Sequence, residues 1–111
     1  MKKLLLIGVL GFSSISSNAI ASQFCDMIER ISYQTMLSRQ QGAPLSKEMG
    51  IINEIAKTER QGSKATQILK KIVISAYEEP KYDTKENQER EAQEFSNDWT
   101  LACYKLEDNY K

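Results

Sequence analysis

Residues 92–106, with the sequence AQEFSNDWTLACYKL, decide the fold of this chain. The apolar side chains in this stretch recur at steps of three and four: Ala92, Phe95, Trp99, Ala102, Cys103 and Leu106. This spacing predicts one face of an α-helix. The face carries the only Trp of the chain and one of its two cysteines. We therefore predict that this helix joins the core, with Trp99 buried against the third helix near Ile72 or Ala76.

The first 21 residues have the three parts of a secretory signal peptide. Lys2 and Lys3 precede an apolar run, residues 4–12, and the small residues 19–21 form a cleavage site. The apolar run is about half of the roughly 20 residues that span a bilayer, which disfavours a membrane anchor. We predict cleavage after Ala21 and a periplasmic or secreted product, residues 22–111, which forms a single helical domain without stable membrane insertion.

The two cysteines, Cys25 and Cys103, lie near opposite ends of this product. In an exported chain such a pair predicts one intramolecular disulfide; two free thiols or an intermolecular bond are the alternatives. The whole chain has 15 basic and 15 acidic residues, so the loss of Lys2 and Lys3 leaves a charge of −2. A slightly acidic domain lacks the basic field that nucleic-acid binding requires.

Periodicity and capping residues predict four helices. Gly42 suits the end of the first, and Ser46, Ser63 and Asp83 suit the starts of the others. For the third helix a strand is the alternative, because residues 72–74 are all β-branched. The predicted fold is an all-α, four-helix domain whose short connections favour antiparallel neighbours. The helices should run from Gln23 to Gln41, from Leu45 to about Arg60, from Lys64 to Glu79, and from Thr84 to about Glu107.

Few residues suit catalysis. The chain has no His, and a disulfide would remove both thiols. There is also no glycine-rich phosphate loop. We therefore predict no catalytic residue, no metal site and no cofactor. The carboxylates Glu86, Glu89, Glu91 and Glu94 leave a carboxylate-dependent hydrolase as an alternative, although a solvated acidic helix face explains them more simply.

Candidate binding residues lie at two predicted helix ends. Arg39 is near the end of the first helix, and Tyr77 and Tyr82 flank the end of the third. Arg and Tyr are enriched at binding hot spots. If the two ends meet, Arg39 can pair with Glu78 or Glu79. The alternative is that these residues only tie the helix ends together.

The order of these residues resembles a group of small exported bacterial and phage-associated proteins without an assigned activity. The resemblance is carried by Cys25, residues 36–42 (MLSRQQG), residues 73–80 (VISAYEEP), Phe95 and Cys103. It covers nearly all of residues 22–111, and it implies a helical exported domain without catalytic residues. In size and in having two cysteines the chain is also similar to periplasmic acid-stress chaperones of the HdeA type. However, its cysteines are much farther apart, and no motif is shared.

These observations favour a non-enzymatic exported protein that binds another envelope or exported protein, in the manner of an inhibitor or an immunity factor. A periplasmic stress chaperone is the second hypothesis, and a small carboxylate-dependent hydrolase is the third.

Overall fold

The computed structural model describes residues 23–58 and 63–109, with side chains as far as residue 106. The predicted signal peptide lies outside these residues. The described chain forms four helices and no strand: α1 (residues 23–40), α2 (Leu45–Thr58), α3 (Lys64–Glu78) and α4 (Lys85–Asn109). The predicted all-α fold is therefore confirmed, and residues 72–74 are helical rather than extended.

The turn after α1 is set by one glycine. The amide of Gly42 donates to the Arg39 carbonyl, and the amide of Ala43 donates to the Ser38 carbonyl. This pair of bonds is the Schellman arrangement, which needs a left-handed residue at its centre. Gly42 supplies it with a φ of 97°. The predicted role of Gly42 as the end of the first helix is thus confirmed.

The starts of the helices follow the predicted capping only in part. Ser63 caps α3, and its hydroxyl accepts a hydrogen bond from the Thr66 amide at 3.2 Å, as predicted. For α4 the predicted cap was Asp83, but Thr84 Oγ1 accepts from the Asn87 amide at 3.1 Å. Ser46 was also wrongly predicted as a cap, because α2 already begins at Leu45.

The helices run alternately up and down. A disulfide joins Cys25 near the start of α1 to Cys103 late in α4, so these two helices are antiparallel. The Ser96 hydroxyl of α4 donates to the Glu29 carbonyl of α1 at 2.9 Å. This bond holds the same antiparallel pair of helices about one turn farther along α1 than the disulfide. The predicted disulfide between the first and last helices is therefore confirmed.

The core is centred on α3. Ile72 and Val73 are almost completely buried, and side chains from the other three helices pack around them. The fully or nearly fully buried apolar residues of the described chain are Cys25, Ile28, Met36, Ile52, Ala56, Leu69, Ile72, Val73, Ala76, Ala92, Phe95 and Cys103.

The predicted apolar face of α4 enters this core over its first half and again at Cys103, which is 5% exposed. Ala92 and Phe95 are buried, whereas Ala102 is exposed and Leu106 is 46% exposed. Trp99 lies between these extremes: it is half-buried, and its indole Nε1 donates to Ser75 Oγ of α3 at 3.2 Å. Its contact with the third helix is as predicted, but its burial is less complete.

No helix in the described part of the chain combines the length and the apolar character needed to cross a membrane.

Candidate functional site

The ends of α1 and α3 meet at one end of the bundle, together with the link to α4. This is possible because α2 returns along the bundle between them, so that α1 and α3 point the same way. We call the assembly of Arg39, Gln40, Tyr77, Tyr82 and the main chain of residues 79–82 the Gln40 cluster. All three residues predicted to bind a partner, Arg39, Tyr77 and Tyr82, belong to it.

Gln40 holds the link between α3 and α4. Its Nε2 donates to the Pro80 carbonyl at 2.8 Å, and its Oε1 accepts from the Tyr82 amide at 2.7 Å. The side chain is only 2% exposed. A primary amide can donate and accept at once, so Gln40 satisfies two main-chain groups that no secondary structure pairs. This residue fixes the position of the link.

Arg39 lies over the ring of Tyr77. Its Cζ is 5.1 Å from the centre of the Tyr77 ring, within the range of a cation–π contact. Its Nη2 donates to the Glu79 carbonyl at 3.0 Å. The predicted pairing of Arg39 with the end of the third helix therefore occurs through a main-chain carbonyl rather than a carboxylate. That carbonyl is at the negative end of the helix dipole, which favours a cation there.

The Tyr77 hydroxyl donates to the Ala43 carbonyl in the turn after α1. The pKa of Tyr77 is raised, first because burial disfavours the phenolate and second because the Glu48 carboxylate is near; the Arg39 guanidinium acts in the opposite direction. The phenol therefore stays protonated and continues to donate this hydrogen bond well above neutral pH.

Tyr82 differs from the other members of the cluster because its ring faces solvent. The residue is 38% exposed, while its main chain is held on both sides. Gln40 accepts from its amide, and Gln88 Nε2 donates to its carbonyl at 2.8 Å. The result is an exposed aromatic side chain on a rigid backbone.

Arg39 and Tyr77 thus combine a structural role with partial exposure, and Tyr82 is the member best placed to meet a partner. The sequence pattern MLSRQQG contained Gln40, but it did not distinguish this residue from Gln41. Gln40 proves to be buried and Gln41 exposed. A signal existed in the helical period: Gln40 follows Met36 by four residues on the buried face of α1.

A second feature of this end is a group of carboxylates on α4. The pKa of Glu91 is raised, chiefly by partial burial and then by the negative charges of Glu79, Glu94 and Asp98. Among the described residues, no group of His, Cys, Asp and Glu side chains has the arrangement needed to hold a metal ion. The raised pKa of Glu91 shows that, beside its burial, the neighbouring negative charges disfavour its ionisation.

Relief of this repulsion should stabilise the protein. Because the pKa of Glu91 is higher in the folded state than in the unfolded state, its ionisation costs stability at neutral pH. This cost disappears as the pH falls below the pKa of a glutamate in the unfolded state, which is about 4.3. We expect Glu91→Gln to raise Tm by roughly 1–3 °C near neutral pH, since a partly exposed interaction is worth a few tenths of a kcal/mol. The variant and the wild type should melt together near pH 3.

Glu89→Gln is the matched control, because Glu89 is an exposed carboxylate of the same helix that does not contribute to the raised pKa of Glu91. An equal rise in Tm for both variants would attribute the effect to net charge rather than to the neighbours of Glu91.

The fold and this site define a four-helix bundle stapled by one disulfide, with an Arg–Tyr cluster at one end. No protein-family model, no curated protein and no solved structure matches the chain.

Proposed function

We propose that this chain is an exported, non-enzymatic protein that binds another protein of the cell envelope, as an inhibitor or an immunity factor does, with the Gln40 cluster as its contact surface. The observation that carries the proposal is that Arg39 lies together with Tyr77 and Tyr82, which come from a distant part of the sequence, at one end of the bundle.

The chemistry of the cluster suits protein recognition. Binding hot spots are enriched in Tyr and Arg, and they work best when the side chains are ordered before the partner arrives. The stacking of Arg39 on Tyr77 and the two bonds from Gln40 supply that order. The ring of Tyr82 then needs little further ordering when a partner covers it.

Export is supported by two independent features. The lysines and the apolar run at the start of the chain are typical of a signal peptide. The disulfide between Cys25 and Cys103 fits an oxidising compartment, because reduced thiols prevail in the cytosol. Both features agree with a site of action in the periplasm or outside the cell.

The test is the recovery of a partner by the immobilised mature protein. We expect the wild type to retain one stoichiometric partner from periplasmic extract at neutral pH. Tyr82→Ala should weaken that binding by roughly 2 kcal/mol and change stability by only about 0.5 kcal/mol. Arg39→Ala should reduce both binding and stability, because Arg39 also bonds the end of α3.

Tyr104→Ala is the matched control. Tyr104 is 41% exposed, close to the 38% of Tyr82, but it lies late in α4, far along the chain from the cluster. The control should leave binding unchanged. Equal losses of partner affinity for both tyrosine variants, or full binding by Tyr82→Ala, would contradict the assignment of the cluster as the contact surface. Recovery of many proteins only after acidification would favour the chaperone hypothesis instead.

A further inference from the structure

A groove between α1 and α2 lies beside the Gln40 cluster, since Glu48 in its lining is near Tyr77. It is open to solvent and has a volume of about 380 Å³. Four isoleucines supply its apolar surface: Ile31 from α1, and Ile51, Ile52 and Ile55 from α2. Ile51 is 49% exposed, Ile31 and Ile55 are half-buried, and Ile52 is buried. Ile51 and Ile55 are one helical turn apart, so they form an apolar strip along the groove.

Glu48 lies in the same groove and has an unusual environment for a carboxylate. The residue is only 7% exposed, yet its side chain makes no hydrogen bond and no ion pair with any residue in the described part of the chain. Its oxygens are not themselves enclosed, since the Arg39 Nε is the one enclosed, unsatisfied side-chain atom of the described residues. The carboxylate therefore opens into the groove. Acidic side chains this deeply buried are normally paired.

The position of Glu48 on α2 explains only part of why an unpaired carboxylate is buried here. Glu48 lies in the first turn of α2, where the helix dipole favours a negative charge. An exposed carboxylate would gain the same benefit without losing its hydration. The adjacent Lys47 lines the groove as well, but neighbouring residues do not face each other on a helix. The nearest cation in sequence therefore leaves Glu48 unpaired.

We propose that this groove is a second contact site, which binds an amphipathic helix of the partner protein. One cationic side chain of that helix pairs with Glu48, and its apolar side chains cover Ile51 and Ile55. Arg30 and Lys47 at the rim receive acidic side chains of the same helix. A helix fits because two packed helices leave a groove of the width that a third fills, with contacts repeating each turn. The inference rests on the proposed protein-binding role.

The test needs no knowledge of the partner. A short, helix-stabilised peptide would carry two leucines one turn apart and one lysine, and a second peptide would have glutamate in place of the lysine. We expect the lysine peptide to bind the mature protein at least ~10-fold more tightly, which corresponds to about 1.4 kcal/mol. Glu48→Gln should remove most of this preference, and Ile51→Asp should weaken both peptides.

Two matched controls separate the groove from general effects. Glu54→Gln changes charge equally on α2, but at an exposed side chain that pairs with Lys57. Ile74→Asp alters an isoleucine of α3 that is 47% exposed, close to the 49% of Ile51. Both should bind the lysine peptide like the wild type. All variants should keep a helical circular dichroism spectrum and cooperative melting.

Three outcomes would overturn the inference. The peptides could bind equally, the control variants could lose as much affinity as their counterparts, or the wild type could be a dimer that Ile51→Asp converts to a monomer. The last outcome would assign the groove to a second copy of the chain. Because the peptide assay does not involve Tyr82, its failure leaves the Gln40 cluster as the contact surface, and a failed partner recovery leaves the peptide result standing.

Discussion

Replacing both Cys25 and Cys103 by alanine should remove most of the stability of this protein. The bond spans a sequence separation of 78 residues. For a loop of that length the chain-entropy model gives about 4–5 kcal/mol. A small domain has on the order of 5–10 kcal/mol in total. Both cysteines are also buried, at 0% and 5% exposure, so the variant loses packing as well.

The measurement is urea unfolding followed by circular dichroism, with the wild type in oxidising and in reducing buffer beside the double variant. We expect the reduced wild type and the variant to unfold at much lower urea concentrations than the oxidised protein. If the free energies of unfolding of the reduced wild type and of the variant remained within about 1 kcal/mol of that of the oxidised protein, then helix packing alone would hold the bundle together. Single cysteine variants are less informative, because the remaining thiol can form intermolecular bonds.

Gln40→Ala should have the second-largest effect. The substitution leaves the Pro80 carbonyl and the Tyr82 amide without their partner and opens a space at a site that is 2% exposed. Unsatisfied buried groups cost about 1–3 kcal/mol each, and each is only partly enclosed here, so we expect a total loss of roughly 2–4 kcal/mol. The thermal unfolding midpoint and urea unfolding both report this loss.

Gln41→Ala is the control, since Gln41 is the exposed neighbour of Gln40. It should change stability by no more than about 0.5 kcal/mol. Gln40→Met separates hydrogen bonding from packing, because methionine has nearly the same volume as glutamine but cannot form the two hydrogen bonds to the main chain of the link. A methionine variant as stable as the wild type would show that packing, and not hydrogen bonding, is what Gln40 provides.

The two features with the largest expected effects differ in how visible they are in the sequence. Two cysteines in a chain with a signal-peptide pattern predict their own pairing, because only one intramolecular bond is possible. Gln40 is one of two adjacent glutamines in a polar stretch. Its role depends on a link that lies 40 residues away in the sequence and is brought to it by the return of α2.

The helix caps differ in the same way: the sequence predicted the cap of α3 but not that of α4. Ser63 capped α3 as predicted, and the sequence offers no other Ser, Thr, Asp or Asn within residues 59–65. At α4 both Asp83 and Thr84 are good caps, and the structure uses Thr84. The link just before this start is held by Gln40 and Gln88 through Tyr82, a contact that the sequence pattern does not reveal.

The sequence by itself determined the four helices and the disulfide, because periodicity, breaking residues and a single pair of cysteines act locally or without alternatives. Only the tertiary structure decided that Arg39, Tyr77 and Tyr82 meet, that Gln40 bonds the link between α3 and α4, that Leu106 is exposed, and that Glu48 opens unpaired into a groove. These properties depend on which helix faces cover one another. That arrangement is set by packing between residues far apart in the chain, and no local pattern encodes it.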